Sequence, residues 1–218
     1  AQSTGADNRR VEVIFVPDSD PSADAWMVDG MSVFAGLLYL EKTLSPAEAQ
    51  EHIHRALVKA LSYEGNTSVR QAGGFEKDSP EYHALVQYKG AYVFRMLRWA
   101  IGDESFDKFL ARYMQEFQNT PASTEALEKL SSEAAGGDLN YFFDQWINSS
   151  GVPEFTVDYA VVRQKNGYAI RGQVKQDLDL FQMPVEFQIQ TDGEPEYARV
   201  NVVGESSEFD VKVERKPK

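Results

Sequence analysis

The chain has 218 residues, 42% apolar, 12% aromatic and 26% charged, enough apolar material to bury a core and too much for a disordered chain. Its formal net charge of −12 repels phosphate backbones and anionic lipid, so neither nucleic acid nor a membrane is an expected partner. It contains no cysteine, which excludes disulfides, thiolate metal sites and cysteine nucleophiles.

Residues 1–22 read as a loose polar segment around one short β-type run, Val11–Val16, closed by turn residues between Pro17 and Pro21. The segment shows no basic stretch leading into an apolar core, and no run in the chain reaches the roughly 20 apolar residues of a membrane span. A first helix is predicted from about Ala23 to Tyr39, carrying Trp26, Met27, Phe34, Leu37 and Leu38. Ser45-Pro46-Ala47-Glu48 combines an N-cap, a first-turn proline and a returning carboxylate, and opens a second helix to about Tyr63. Residues 65–78 read as a loop. Ser79-Pro80 opens a third helix, in which Val93, Met96, Leu97, Ala100 and Ile101 keep helical spacing up to Gly102. Phe106, Phe109, Leu110, Tyr113 and Phe117 mark a fourth. Ser123 or Thr124 caps a fifth, closed by Gly136-Gly137, and Asp138 caps a sixth through Phe142, Phe143, Trp146 and Ile147.

At Gly151-Val152-Pro153 the apolar period changes to two. Phe155, Val157, Tyr159 and Val161 alternate with polar residues, Lys165-Asn166-Gly167 signals a hairpin, and Tyr168, Ile170 and Val174 return. Val185, Phe187 and Ile189, then Val200 and Val202, then Phe209, Val211 and Val213 bring the set to about five strands. The expected class is α+β: a helical part of about six helices over residues 23–151, then a small antiparallel β-sandwich over residues 152–218.

Two stretches carry a family likeness. Trp26-Met27-Val28-Asp29-Gly30-Met31-Ser32-Val33-Phe34 resembles the pattern W-L-x-E-G-x-A-x-Y, and Gln87-Tyr88-Lys89-Gly90-Ala91 resembles Y-x-K-G-A. Both patterns belong to zinc aminopeptidases of the membrane alanyl aminopeptidase (gluzincin) type. Arg95-Met96-Leu97, Gly102-Asp103-Glu104-Ser105-Phe106, Phe142-Phe143-Asp144-Gln145-Trp146 and Gly151-Val152-Pro153 follow in the order seen in that family. The resemblance covers about residues 23–215 and implies the C-terminal half of the catalytic domain with the β-sandwich that follows it. In the family, the glutamate of the first pattern is the third zinc ligand; Asp29 holds that position here. The first tyrosine of the second pattern steadies the oxyanion; Gln87 holds that position, with Tyr88 one residue later. The family's H-E-x-x-H helix is expected to end about 19 residues before Asp29, near Arg10, where Ala6-Asp7-Asn8-Arg9-Arg10 stands.

The chemistry of that family site needs two histidines one helical turn apart and a carboxylate, with one position left for water. Zinc lowers the pKa of the water to about 7 and the glutamate between the histidines takes its proton. One aspartate does not retain such an ion. The three histidines do not rebuild the set: His52 and His54 stand two apart on one predicted helix and point to different sides, and His83 lies on another. The expectation is a chain without a cofactor of its own, zinc belonging to the parent family. It reads as a non-catalytic relative or fragment whose scaffold is kept for binding a peptide or protein. Asp29, Gln87, Tyr88 and Lys89 are the cleft-binding candidates; Asp29 reads as the relic of a ligand beside the former cleft or, in preference, as a structural residue that accepts a hydrogen bond or is solvated beside Gly30, and Gly90 as a point of close helix approach. Two alternatives stay open: the C-terminal part of an active enzyme whose histidines lie elsewhere, and a purely structural module. The resemblance and the lack of cysteine point to a secreted or periplasmic home.

Overall fold

The computed structural model describes residues 24–218 apart from 64, 66 and 119–121. The run Val11–Val16 lies outside them. Helix α1, Ala25–Thr43, buries Trp26, Met27, Gly30, Phe34 and Leu37 along one face. Helix α2, Pro46–Ala60, starts where the sequence predicts: Glu48 donates its backbone N–H to the Ser45 hydroxyl, and the Glu48 carboxylate accepts from the Ser45 backbone and hydroxyl. The stretch expected to be all loop contains one more turn of helix, α3, Val69–Ala72, with its own capping box between Ser68 and Gln71. Val69 and Ala72 enter the core, which is what orders so short a turn.

The predicted third helix is continuous but not uniform. Helix α4, Pro80–Tyr82, widens into a π-helical segment, His83–Lys89, and tightens again into α5, Gly90–Ile101. Helices α6, Asp103–Glu116, and α7, Thr124–Ala135, follow, and α8, Asn140–Phe143, passes into a second π-helical segment, Asp144–Asn148. Gly102 and Gly136 end their helices at φ of 84° and 69°, a backbone shape open to glycine. The core between these helices is a row of rings. Phe94 lies 5.2 Å from Trp26 and 5.9 Å from Phe34, and Phe34 meets Phe106 edge-on at 5.6 Å. The Trp26 indole donates to the Thr124 hydroxyl, and Thr124 donates both its hydroxyl and its backbone N–H to the buried Asp24 carboxylate.

Strands β1, Phe155–Arg163, β2, Tyr168–Gln176, and β5, Ser206–Val213, form one antiparallel sheet in the order β1-β2-β5; β3, Met183–Ile189, and β4, Glu196–Val202, form a second. The β1–β2 hairpin turns at Gly167, with φ of 89°. Val174, Val200 and Val202 are buried between the two sheets, and Phe187 meets Phe209 across them at 5.2 Å. The coverage is uneven: Val157, Tyr159 and Val161 of β1, expected on a buried face, are 36%, 63% and 45% exposed. Among the described residues the second sheet has two strands, which leave this part of β1 uncovered.

The sandwich is fastened to the helices by the connection between β2 and β3. Phe181 sits in the helical core with its ring 4.8 Å from Trp146. The buried Gln145 amide donates to the Gln182 carbonyl at 3.0 Å and accepts from the Gln182 N–H at 2.8 Å. The Arg199 guanidinium lies 3.9 Å over the exposed Trp99 ring. Among the described residues, no helix is long and apolar enough to cross a membrane.

Candidate functional site

Two glycines set the site. A Cβ added to Gly30 would lie 2.7 Å from the backbone carbon of Gly90, and one added to Gly90 would lie 3.2 Å from the Trp26 carbonyl oxygen. Helix α1 therefore crosses the junction between the π-helical segment and α5 backbone to backbone. This is the close approach expected at Gly90, and it puts Asp29 beside the helix that carries the Y-x-K-G-A-like stretch.

Tyr82 donates its phenol to Asp29 Oδ2 at 2.6 Å. Burial, and then the bond to Asp29, push the Tyr82 phenol far above the usual tyrosine value, so Tyr82 is the proton carrier of the pair. Gln87 is half-buried, and its Oε1 lies 2.9 Å from His83 Nδ1, four residues back on the same segment. Tyr88 turns toward α2, where Lys59 donates to its hydroxyl at 2.8 Å and stands 4.6 Å from its ring centroid. Lys89 is buried and donates to the Gly151 carbonyl at 3.4 Å, beside the entry to the sandwich. The four candidates thus meet four different partners. The sequence reading did not find Tyr82 or His83 as those of Asp29 and Gln87. Nothing in the spacing marks Tyr82, which stands 53 residues from Asp29.

The domain profile of peptidase family M1 matches residues 22–146, more than half of the chain. The chain belongs to peptidase family M1. Transcription initiation factor TFIID subunit 2 of Danio rerio is 28% identical to this M1 chain over 189 residues, which covers 71% of the chain and 16% of that protein. Probable aminopeptidase 1 of Sulfurisphaera tokodaii is 26% identical over 140 residues, covering 62% of the chain and 18% of that protein. A crystal structure of Legionella pneumophila aminopeptidase A in complex with aspartic acid shares the fold at a TM-score of 0.71 and 18% identity, over 90% of the M1 chain and 22% of its own. The chain spans less than a quarter of the length of each of these relatives.

M1 peptidases in general depend on zinc, and the described donors can be held against that need. Among the described residues, no three side chains of His, Cys, Asp or Glu converge on one point. Asp29 already accepts a hydrogen bond from the Tyr82 phenol, and His83 is engaged with Gln87. This donor set does not fit a catalytic zinc ion.

Two buried phenols, Tyr82 and Tyr113, and the half-buried Tyr92 make the proton balance testable. Burial raises Tyr82, Tyr92 and Tyr113 above the ordinary tyrosine value near 10, and Tyr113, which also faces the Asp24 charge, is pushed up to about 12. The folded chain therefore holds protons that the unfolded chain releases above pH of about 10, so their stabilising contribution is complete below that pH and is lost as pH rises through the folded values. In an alkaline titration followed by phenolate absorbance, these tyrosines are expected to stay silent near pH 10 and to ionise together with unfolding. Ordinary titration of all ten tyrosines near pH 10, with the fold intact, is the opposite result.

Proposed function

We propose that this region is a non-catalytic M1 scaffold, kept for binding a peptide or protein. The observation that carries the reading is the 2.6 Å bond from Tyr82 to Asp29: the carboxylate at the family's ligand position is satisfied inside the protein by a phenol. Two sequence departures support it, Gln87 at the position of the oxyanion tyrosine and Ala6-Asp7-Asn8-Arg9-Arg10 at the spacing of the histidine pair. One relative, by its name a subunit of a transcription initiation factor, is named for an assembly and not for an activity, and that supports the reading.

Calorimetric titration of the 218-residue chain with zinc chloride is expected to show no saturable heat at micromolar concentrations, and the chain is expected to leave aminoacyl chromogenic substrates uncut. Stoichiometric zinc binding at micromolar affinity would end this reading.

The second reading is part of an active aminopeptidase whose histidines are supplied from elsewhere. The short span of the chain against Probable aminopeptidase 1 favours it. The same assays on a longer protein carrying an H-E-x-x-H helix separate the two: zinc-dependent cleavage abolished by Asp29→Ala selects the second reading.

A further inference from the structure

The turn between β1 and β2 holds the one asparagine of the chain that is followed by glycine, Asn166-Gly167. The fold requires that glycine. Its φ of 89° lies where side chains are disfavoured, and a Cβ on it would stand 2.5 Å from the Val213 carbonyl oxygen. The same lack of a side chain leaves the Gly167 nitrogen open to the amide carbon beside it. Asn166 is exposed at the tip of the turn, which is closed by a bond from the Gln164 N–H to the Gly167 carbonyl at 3.0 Å. Among the described residues, no hydrogen bond engages the Gly167 N–H.

The comparable pairs in the chain are guarded. At Asp192-Gly193, the Gly193 N–H donates to the Thr191 hydroxyl at 3.0 Å, and the Arg215 side chain packs against the glycine. Asp29-Gly30 lies inside α1, where main-chain N–H groups serve the helix ladder, and its carboxylate accepts from Tyr82. At Asn148-Ser149, the Ser149 N–H donates to the Asp144 carbonyl at 2.9 Å, and the Asn148 amide is held between the Asp144 carboxylate and Arg70. An amide also loses ammonia more readily than an ionised carboxylate loses oxygen. Asn166 is therefore exposed, unhindered and furnished with a good leaving group at the same time.

We propose that Asn166 is a modification site at which the chain alters itself. The Gly167 nitrogen gives its proton to solvent and attacks Asn166 Cγ. The N–Cγ bond forms, the Cγ–Nδ2 bond breaks, and Nδ2 takes a proton from solvent and leaves as ammonia. Water then opens the cyclic imide at either carbonyl, giving aspartate or isoaspartate, with no change of oxidation state. Both products add a negative charge to the turn, and isoaspartate carries one more main-chain atom through it. The free α-carboxyl of isoaspartate is the group that an isoaspartyl carboxyl methyltransferase esterifies, with S-adenosylmethionine as methyl donor. The site owes nothing to the Asp29 region, because every reacting atom belongs to the turn or to water.

The test is ageing of the 218-residue chain in warm, mildly alkaline buffer, read by peptide mapping with mass spectrometry and by enzymatic methylation of isoaspartate. Asn166 is expected to become acid at least tenfold faster than Asn148, with the methylation signal on the same peptide. The rate is expected to rise with pH, since the attacking nitrogen must lose its proton. Asn166→Gln, with unchanged far-UV circular dichroism, is expected to cut the methylation signal at least tenfold; the parent measurement stands by itself if this variant fails to fold. Conversion no faster at Asn166 than at Asn148 overturns the proposal, because the turn then holds the nitrogen away from Cγ. A methylation signal that survives Asn166→Gln overturns it too.

Discussion

Replacing Gly30 with valine is expected to lower stability by about 3 kcal/mol or more, at the upper end of what overpacking costs. A Cβ at residue 30 lies 2.7 Å from the Gly90 backbone carbon and 2.9 Å from its Cα, so no side-chain rotation relieves the contact and two helices must separate. Separation loosens Trp26 and Phe94, whose tilted rings meet across the same crossing. Gly36 on the same helix is the control, because a Cβ there meets nothing within 4 Å. Gly36→Ala is expected to be neutral or to stabilise by up to about 1 kcal/mol through helix propensity. Urea unfolding of the two variants decides the matter. A Gly30→Val protein as stable as the parent would mean that the helices do not touch where described.

The second large effect is expected at Phe181. Truncating this ring to alanine removes a side chain that is 1% exposed and leaves a hole beside Trp146, a change that typically costs about 3–5 kcal/mol. The loss falls on the connection that joins sheet to helices, so the two parts are expected to unfold less cooperatively. Helical circular dichroism and tryptophan fluorescence are expected to report coincident transitions in the parent and separate ones in Phe181→Ala. A loss under about 1 kcal/mol with coincident transitions sinks the idea that Phe181 is the fastening point.

The legible parts of this chain were those with a repeating signal. Helical spacing from Val93 to Ile101, the capping box at Ser45 and Glu48, and the turn at Gly167 lie where the sequence puts them, because each is decided by neighbours along the chain. Helix α3 escaped because one turn is too short to show a period, although Ser68 and Gln71 carried the cap signal. The π-helical segment His83–Lys89 was invisible for a related reason: its widened turn sits inside a run whose flanks keep ordinary helical spacing. The exposure of β1 was missed because alternation shows that a strand has an apolar face, and says nothing about how wide the opposing sheet will be. At the site, Gly90 announced a close approach by lacking a side chain but not what it approaches; its pairing with Gly30 and the phenol on Asp29 are products of tertiary packing.

Asp24 stands immediately before α1, yet its carboxylate accepts from the first backbone N–H of α7. A single negative charge thus sits at the positive ends of two helices that begin 99 positions apart, Ala25 and Thr124. Unwinding at the start of α1 carries Asp24 away from Thr124 and so strips α7 of its counter-charge, and it frees the Trp26 indole from the Thr124 hydroxyl at the same time.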